Sequence, residues 1–119
     1  KDQLLFFIDV KCPICRSLAQ TVKKVAYEEN ADLVFVSDGE SVDKHLDFYR
    51  SLALRPCDYL ISEEIGRAYG IGKVPYAVLI GANGKIITFG IVNNREHIES
   101  LFQAREDGVD SLQEYFRKQ

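Results

Sequence analysis

Cysteine is scarce in this sequence, with three residues among 119, and neither sign of charge is in strong excess. Three cysteines are too few for a small secreted scaffold that depends on several disulfides. Lysine and arginine together number 15 against 18 acidic residues, which gives a formal net charge of -3. The composition therefore offers no basic field that would favour nucleic acid or an anionic lipid surface.

Long apolar segments are also missing. The first apolar run, at residues 4–8, is stopped by Asp9 and is too short for a membrane span or a signal-peptide core. The hydrophobic fraction of 46% is nevertheless sufficient for a buried core, and the length suits one domain. We expect a single soluble domain over residues 1–119, with any targeting signal or membrane anchor located upstream of Lys1.

The first third of the chain alternates between strand and helix patterns. Residues 4–8 and 33–36 are continuous apolar runs, which are typical of strands buried on both faces. Between them a helix is predicted to begin at Pro13, since proline is tolerated in a first helical turn. Its inward face would consist of Ile14, Leu18, Val22, Val25 and Ala26. Strand, helix and strand predict a right-handed crossover between parallel strands.

The rest of the chain predicts helices around a hairpin. Ser41 would cap a helix that extends to about residue 53, with an inward face of Val42, Leu46, Tyr49 and Leu52. A short strand at residues 59–61 and a short helix from Ser62 to Gly70 would follow. Residues 76–80 and 85–89 flank Asn83-Gly84, which predicts an antiparallel hairpin.

Two helices are predicted after the hairpin. Asn93 and Glu96 resemble a capping box, and the helix behind them would bury Ile98, Leu101 and Phe102. Gly108 would break that helix, and a last amphipathic helix would use Val109, Leu112, Tyr115 and Phe116. The whole pattern predicts an α/β fold, in which a central mixed four-stranded sheet is flanked by helices.

The main chemical feature is the run Lys11-Cys12-Pro13-Ile14-Cys15, at the change from first strand to first helix. The N-terminus of a helix stabilises a thiolate through its free N–H groups and its partial positive charge. A thiolate is the species that attacks a disulfide. Cys12 would be the exposed nucleophile and Cys15 the resolving thiol, with Lys11 and Arg16 as nearby cations that tune them.

Two other interpretations of the pair were considered. A metal site needs more ligands than the sequence places together, because Cys57, His45 and His97 are isolated. A structural disulfide between residues three positions apart would close almost no loop. It would therefore remove little chain entropy from the unfolded state and would stabilise the fold only slightly. The redox interpretation is favoured, and neither a metal nor another cofactor is predicted.

Proline introduces the strand that begins at Tyr76. Pro75 stands at a strand start, where proline is tolerated. An ordinary trans proline at an edge is one interpretation, and a cis Val74–Pro75 bond is the one we favour. A cis bond would expose the Val74 backbone beside the cysteines, so that an extended substrate could hydrogen-bond there. Tyr76 would either line this substrate groove or pack against the core.

The segments at residues 7–15 and 68–80 together resemble the thioredoxin superfamily. That family has Cys-x-x-Cys at a helix start and a cis-proline before the hairpin. The resemblance implies a thioredoxin-like fold, with Cys12 as nucleophile, Cys15 as resolving thiol and Pro75 as cis-proline. The first strand and helix of a full thioredoxin are missing, so the domain would be a minimal core.

Residues 36–40, 73–80, 90–102 and 108–115 resemble more closely the methylamine dehydrogenase accessory proteins of the MauD family. This resemblance implies a periplasmic thiol–disulfide oxidoreductase, tethered to the membrane by a segment outside this chain. Its client would be the small subunit of methylamine dehydrogenase, which contains many disulfides and a tryptophan-derived quinone. The resemblance allows a membrane redox partner, and a nucleic-acid partner is not expected.

Two positions depart from the wider thioredoxin pattern. Thioredoxins usually have tryptophan before the first cysteine, where this chain has Lys11 and contains no tryptophan at all. They also carry a buried acid six residues before that cysteine, where this chain has Phe6. Proton transfer from Cys15 then requires another base or water, which weighs against a general reductase.

The remaining candidates have less specific interpretations. Cys57 is expected to be a buried inert thiol, and a regulatory or intermolecular link is the alternative. His45 and His97 are expected on the surface.

Three functions remain open from the sequence alone. The first is a disulfide oxidase or isomerase, and the second is a thiol reductant of the type that serves cytochrome c maturation. The third is a thioredoxin-like binding module without catalysis.

Overall fold

The computed structural model describes residues 1–107, and the last helix predicted from the sequence lies outside the described residues. Nine elements follow one another within residues 1–107: β1 (Gln3–Phe7), α1 (Pro13–Glu28), β2 (Asp32–Ser37), α2 (Val42–Ser51), β3 (Asp58–Ile61), α3 (Glu63–Ala68), β4 (Tyr76–Ile80), β5 (Ile86–Ile91) and α4 (Arg95–Asp107). Their order confirms the predicted β-α-β unit, hairpin and following helix.

The strands form one mixed sheet in the order β3-β2-β1-β4-β5. β1 pairs in parallel with β2, and β2 with β3, whereas β4 is antiparallel to both β1 and β5. The α/β class and the mixed sheet are confirmed, and the sheet has five strands where four were predicted. The additional strand is β3, which is four residues long and pairs at the edge of the sheet.

The central strand β1 is buried on both faces because helices cover both sides of the sheet. Leu4 and Phe6 point into the larger core cluster, which includes the inward residues of α1, α2 and α4. Leu5 and Phe7 point into the smaller cluster, where Ile65 of α3 packs. This double burial is the reason that the strand appears in the sequence as an uninterrupted apolar run.

Helix α2 buries a different face from the predicted one. Val42 and Leu46 are 63% and 41% exposed, whereas His45 and Phe48 are 2% and 0% exposed. The predicted set was wrong for Val42 and Leu46, although Tyr49 and Leu52 do pack against the core. Among the α2 residues, Phe48 is the buried member of the larger core cluster, and Tyr49 and Leu52 pack against it as partly buried side chains.

His45 is also a correction, because it was expected in solvent. Its Nε2 lies 2.8 Å from the Gly39 carbonyl oxygen, and its Nδ1 lies 2.8 Å from the Tyr59 hydroxyl. A carbonyl oxygen only accepts, so Nε2 donates to Gly39 and Nδ1 is left to pair with the tyrosine hydroxyl. Both ring nitrogens are satisfied, which makes the burial of this histidine tolerable.

The helix N-termini confirm most of the predicted caps. The Ser41 and Ser62 hydroxyls accept backbone N–H groups at the starts of α2 and α3. At α4 the cap is Asn94 rather than the predicted Asn93, since the Asn94 side chain accepts the His97 N–H at 2.9 Å. His97 Nδ1 in turn accepts the Asn93 N–H, so histidine supplies the reciprocal bond that was predicted for Glu96.

Candidate functional site

Cys12 is the N-cap residue of α1. Its backbone is extended, and its sulfur accepts the backbone N–H of Cys15 at 3.1 Å. Pro13 follows as the first helical residue, where its missing N–H leaves no bond unmade. The sulfur of Cys12 therefore occupies the position in which a side chain satisfies a free N–H group at the positive end of a helix.

A turn that starts at Asp9 places Cys12 at the N-cap of α1. The Cys12 N–H donates to the Asp9 carbonyl oxygen, and the Lys11 N–H donates to the Asp9 carboxylate, both at 2.9 Å. β1 ends at Phe7, two residues before this turn. The loop between β1 and α1 is thus closed by Asp9, whose contribution sequence reasoning did not identify.

Cys15 lies beneath Cys12 and has no exposed surface, whereas Cys12 is partly exposed. Burial raises the pKa of the Cys15 thiol, and its hydrogen bond with Cys12 raises that pKa further. Cys15 is thus held as a neutral thiol while Cys12 meets solvent. Cys12 is the more exposed sulfur, as predicted, and the roles of attacking and resolving thiol remain predictions.

The proline predicted to be cis is cis: the Val74–Pro75 peptide bond has that configuration, as does Arg55–Pro56. Pairing of Phe7 with Tyr76 places Pro75 at the carboxyl end of β1, the end from which the cysteine loop departs. Val74 is 37% exposed, while Pro75 is buried and Tyr76 packs against the smaller core cluster. For Tyr76 the structure thus shows the packing contact.

A groove of about 340 Å³ runs along this end of the sheet. It is bordered by the end of β1, the end of β2, helix α3 and the segment before Pro75, with Ile8, Asp9, Asp38, Arg67, Lys73 and Val74 among its lining residues. The structure therefore brings Val74 and the Asp9 turn to one surface. Cys57 is elsewhere, half-buried in a second groove between α2 and β3.

The two predicted tuning cations are both held by neighbours. The Lys11 ammonium lies 2.8 Å from the Glu40 carboxylate. Arg16 donates from Nε to the Val10 carbonyl oxygen at 3.2 Å, and its guanidinium lies 5.1 Å from the centre of the Phe48 ring. The ion pair with Glu40 could not be predicted from sequence, because Glu40 is 29 positions away and belongs to the β2–α2 loop.

Phe6 occupies the place of the acid that thioredoxins carry, and it is fully buried. Its ring packs edge-on against Phe35 at a centroid distance of 5.8 Å. Asp9 is the acidic residue nearest to Cys12 in the sequence and is half-buried. Within residues 1–107 no group of three or more potential ligands could hold a metal ion.

The cysteine environments predict selective alkylation of the reduced protein. With limiting iodoacetamide at about pH 8, we expect Cys12 to be modified first, since only a thiolate reacts and burial raises the pKa of both Cys15 and Cys57. Peptide mapping by mass spectrometry gives the order of labelling. Equal labelling of Cys12 and Cys15 at early times would contradict the assignment, and urea-unfolded protein is the control in which the preference should disappear.

Comparison with known proteins agrees with the fold. No family model matches the chain. The chain is 39% identical to the methylamine utilization protein MauD of Methylophilus methylotrophus, over 98% of the chain and 55% of that protein. The MauD protein of Paracoccus denitrificans is 38% identical over 97% of the chain and 57% of its own length.

A solved structure gives the same fold at lower identity. The secreted disulfide oxidoreductase of Mycobacterium tuberculosis, described as homologous to E. coli DsbE, superposes with a TM-score of 0.69. It is 23% identical, and the match covers 90% of this chain and 81% of that one.

The sheet order and the position of the Cys12–Cys15 pair at the start of α1 define a domain of the thioredoxin-like fold class, the fold that the solved structure shares. Within that class the chain is related to the MauD proteins, and it spans about half the length of the MauD relatives it matches. None of the described helices is long and apolar enough to cross a membrane.

Proposed function

We propose that this domain carries out thiol–disulfide exchange through Cys12 and Cys15 and forms or corrects disulfides in a periplasmic protein client. The observation that carries the proposal is the place of Cys12 as N-cap of α1, with its sulfur 3.1 Å from the Cys15 N–H. The name of the relatives, methylamine utilization protein, favours a client in that system. The small subunit of methylamine dehydrogenase, with its many disulfides, is the client we propose.

In the oxidising direction, the Cys12–Cys15 disulfide is attacked at Cys12 by a client thiolate. A client–Cys12 bond forms, and Cys15 leaves as a thiolate that takes up a proton. A second client thiolate then attacks the client sulfur of this mixed disulfide and releases Cys12. The client gains one disulfide and the domain gains two electrons, which a membrane redox partner would remove.

Isomerisation uses the same bonds without net electron transfer. The Cys12 thiolate attacks a client disulfide, and a client sulfur leaves as a thiolate. A different client thiolate then displaces Cys12 and forms the new pairing. The high pKa of Cys15 supports this route, because a neutral buried thiol attacks the mixed disulfide slowly and leaves the client time to rearrange.

Substrate would lie across the exposed side of Cys12 and Val74. Ile14 and Val74, which are 43% and 37% exposed, offer apolar contact: Ile14 lies between the two cysteines in sequence, and Val74 lines the groove that Asp9 also borders. The Val74 backbone would pair with an extended client segment. We propose a periplasmic location with an anchor outside this chain, as the MauD resemblance implies.

The decisive measurement is the reduction potential of the Cys12–Cys15 pair. Equilibration of the Cys57→Ser variant in glutathione or dithiothreitol buffers leaves only this pair to titrate. We expect a value in the range of about -180 to -120 mV that isomerases and strong oxidants occupy. A value at or below about -270 mV would indicate a reductant and overturn the proposal. If no reversible pair formed, a binding module without catalysis would be the better explanation.

A further inference from the structure

Glu40 connects the cysteine loop to α2 through two ion pairs. One carboxylate oxygen lies 2.8 Å from the Lys11 ammonium, and the other lies 3.0 Å from the Lys44 ammonium. The Glu40 side chain is 17% exposed, whereas those of the lysines are 72% and 60% exposed. One largely covered carboxylate therefore holds two cations, and one of them belongs to the residue directly before Cys12.

A hydrogen bond from a buried side chain holds the backbone next to Glu40. Gly39 and Glu40 have φ values of 64° and 54°, and a positive φ is uncommon for a residue other than glycine. The Gly39 carbonyl oxygen accepts the hydrogen bond from buried His45, which is in turn bonded to Tyr59. Such a conformation persists where the surroundings determine it. The position of the carboxylate is therefore set by the buried His45–Tyr59 pair as well as by the lysines.

We propose that Glu40 is a positioning residue for the redox pair. It holds the ammonium of Lys11, the residue directly before Cys12, and offsets its charge, and so limits how strongly Cys12 is activated. The inference rests on the proposed exchange function, because it concerns the reactivity of the same sulfur. A cation beside a thiol favours the thiolate, and a carboxylate bound to that cation reduces the effect. Glu40 would thus set the balance between the reduced and oxidised forms of the pair.

Other charged groups lie around Lys11, and their effect on Cys12 must be distinguished from the effect of Glu40. They come from the cysteine loop, from α1 and from α2: Asp9, Arg16, Asp43, Lys44 and Asp47. The hydrogen bond with Glu40 raises the pKa of Lys11, and hydrogen bonds from Lys11 and then from Lys44 lower the pKa of Glu40. Both groups therefore stay charged through the neutral range, and the ion pair persists over that range.

Glu40→Gln tests the inference through the titration of Cys12. The rate of Cys12 alkylation is followed by mass spectrometry as a function of pH in the Cys57→Ser background. Removal of the carboxylate leaves the positive charge of Lys11 without its partner. We therefore expect the pH midpoint of the Cys12 alkylation rate to fall by about half a unit, which is the effect of about one added positive charge near a surface thiol. The reduction potential should become less negative in the same variant, because a stabilised thiolate favours the reduced form.

Three further variants make the test specific. Asp47→Asn removes one negative charge from the same groove without touching the Lys11 pair, and its shift should be less than half that of Glu40→Gln. Glu40→Asp keeps the charge and should leave the midpoint within about 0.2 units of wild type, whereas a purely structural role would disturb it. In a Lys11→Gln background, Glu40→Gln should lose more than half of its effect.

Several results would overturn the inference. These are an unchanged midpoint in folded Glu40→Gln protein, a shift equal to that of Asp47→Asn, or a full Glu40→Gln effect without Lys11. Thermal unfolding by circular dichroism establishes that each variant is folded. The alkylation assay requires no client, so a failure of the proposed exchange function would be seen separately, in the potential of the wild-type pair.

Discussion

Replacing Cys15 with serine is expected to trap the client on Cys12 as a stable mixed disulfide. Cys12 lies at the exposed helix N-cap and retains its ability to attack, while the buried sulfur that would release the client is lost. The expected result is a covalent complex that survives non-reducing electrophoresis and disappears on addition of dithiothreitol. Extracts that contain the client, or a purified multi-disulfide protein, supply the partner.

The matched variants identify the sulfur that reacts. Cys12→Ser should give no complex and should reduce exchange to the background rate, since the nucleophile itself is gone. Cys57→Ser should leave trapping by the Cys15→Ser protein unchanged, because Cys57 lies in a different groove between α2 and β3. A complex that forms without Cys12, or that requires Cys57, would refute the assignment of the site.

Phe48→Ala is expected to cause the largest loss of stability among the substitutions considered. The ring is fully buried, lies under the Arg16 guanidinium at 5.1 Å and packs against Tyr59 at a centroid distance of 6.2 Å. Truncation of a buried phenylalanine typically costs about 3–5 kcal/mol, through lost burial and the cavity that remains. Urea unfolding of the oxidised protein measures the change as a lower midpoint at constant slope.

Leu46→Ala is the control from the same helix. Leu46 was predicted to be inward but is 41% exposed, so its truncation should cost no more than about 1 kcal/mol. Both substitutions introduce alanine, which favours helix formation, so differences in propensity contribute little. If the two variants lost equal stability, the orientation of α2 described here would be wrong.

Helix α2 shows where sequence patterns stop being sufficient. The predicted set of Val42, Leu46, Tyr49 and Leu52 has a helical spacing, and so does the set of His45 and Phe48. Hydropathy favours the first set because it scores histidine as polar. The second set is buried because Tyr59 and Gly39 satisfy both nitrogens of His45, and those partners lie outside the helix. A residue 14 positions away thus determined which face points inward.

The cysteine site was predictable to a greater extent, because much of it is local. The spacing of Cys12 and Cys15, and the proline between them, placed the pair at a helix start, and the structure has Cys12 as N-cap. The cis configuration of the Val74–Pro75 bond was also predicted and is confirmed. The functional roles of all the predicted site residues remain predictions: Lys11, Cys12, Cys15, Arg16, Val74, Pro75 and Tyr76. The variants proposed above test those of Cys12, Cys15 and Lys11.

The amino-acid sequence by itself determined the order of the elements, the buried central strand, the hairpin and the place of the cysteine pair. These follow from periodicity, caps and turn residues, which act over a few neighbouring positions. Only the tertiary structure decided that β3 joins the sheet, that His45 is buried and that Glu40 binds Lys11. Each of these depends on contacts between distant segments, which come together only when the sheet and helices pack.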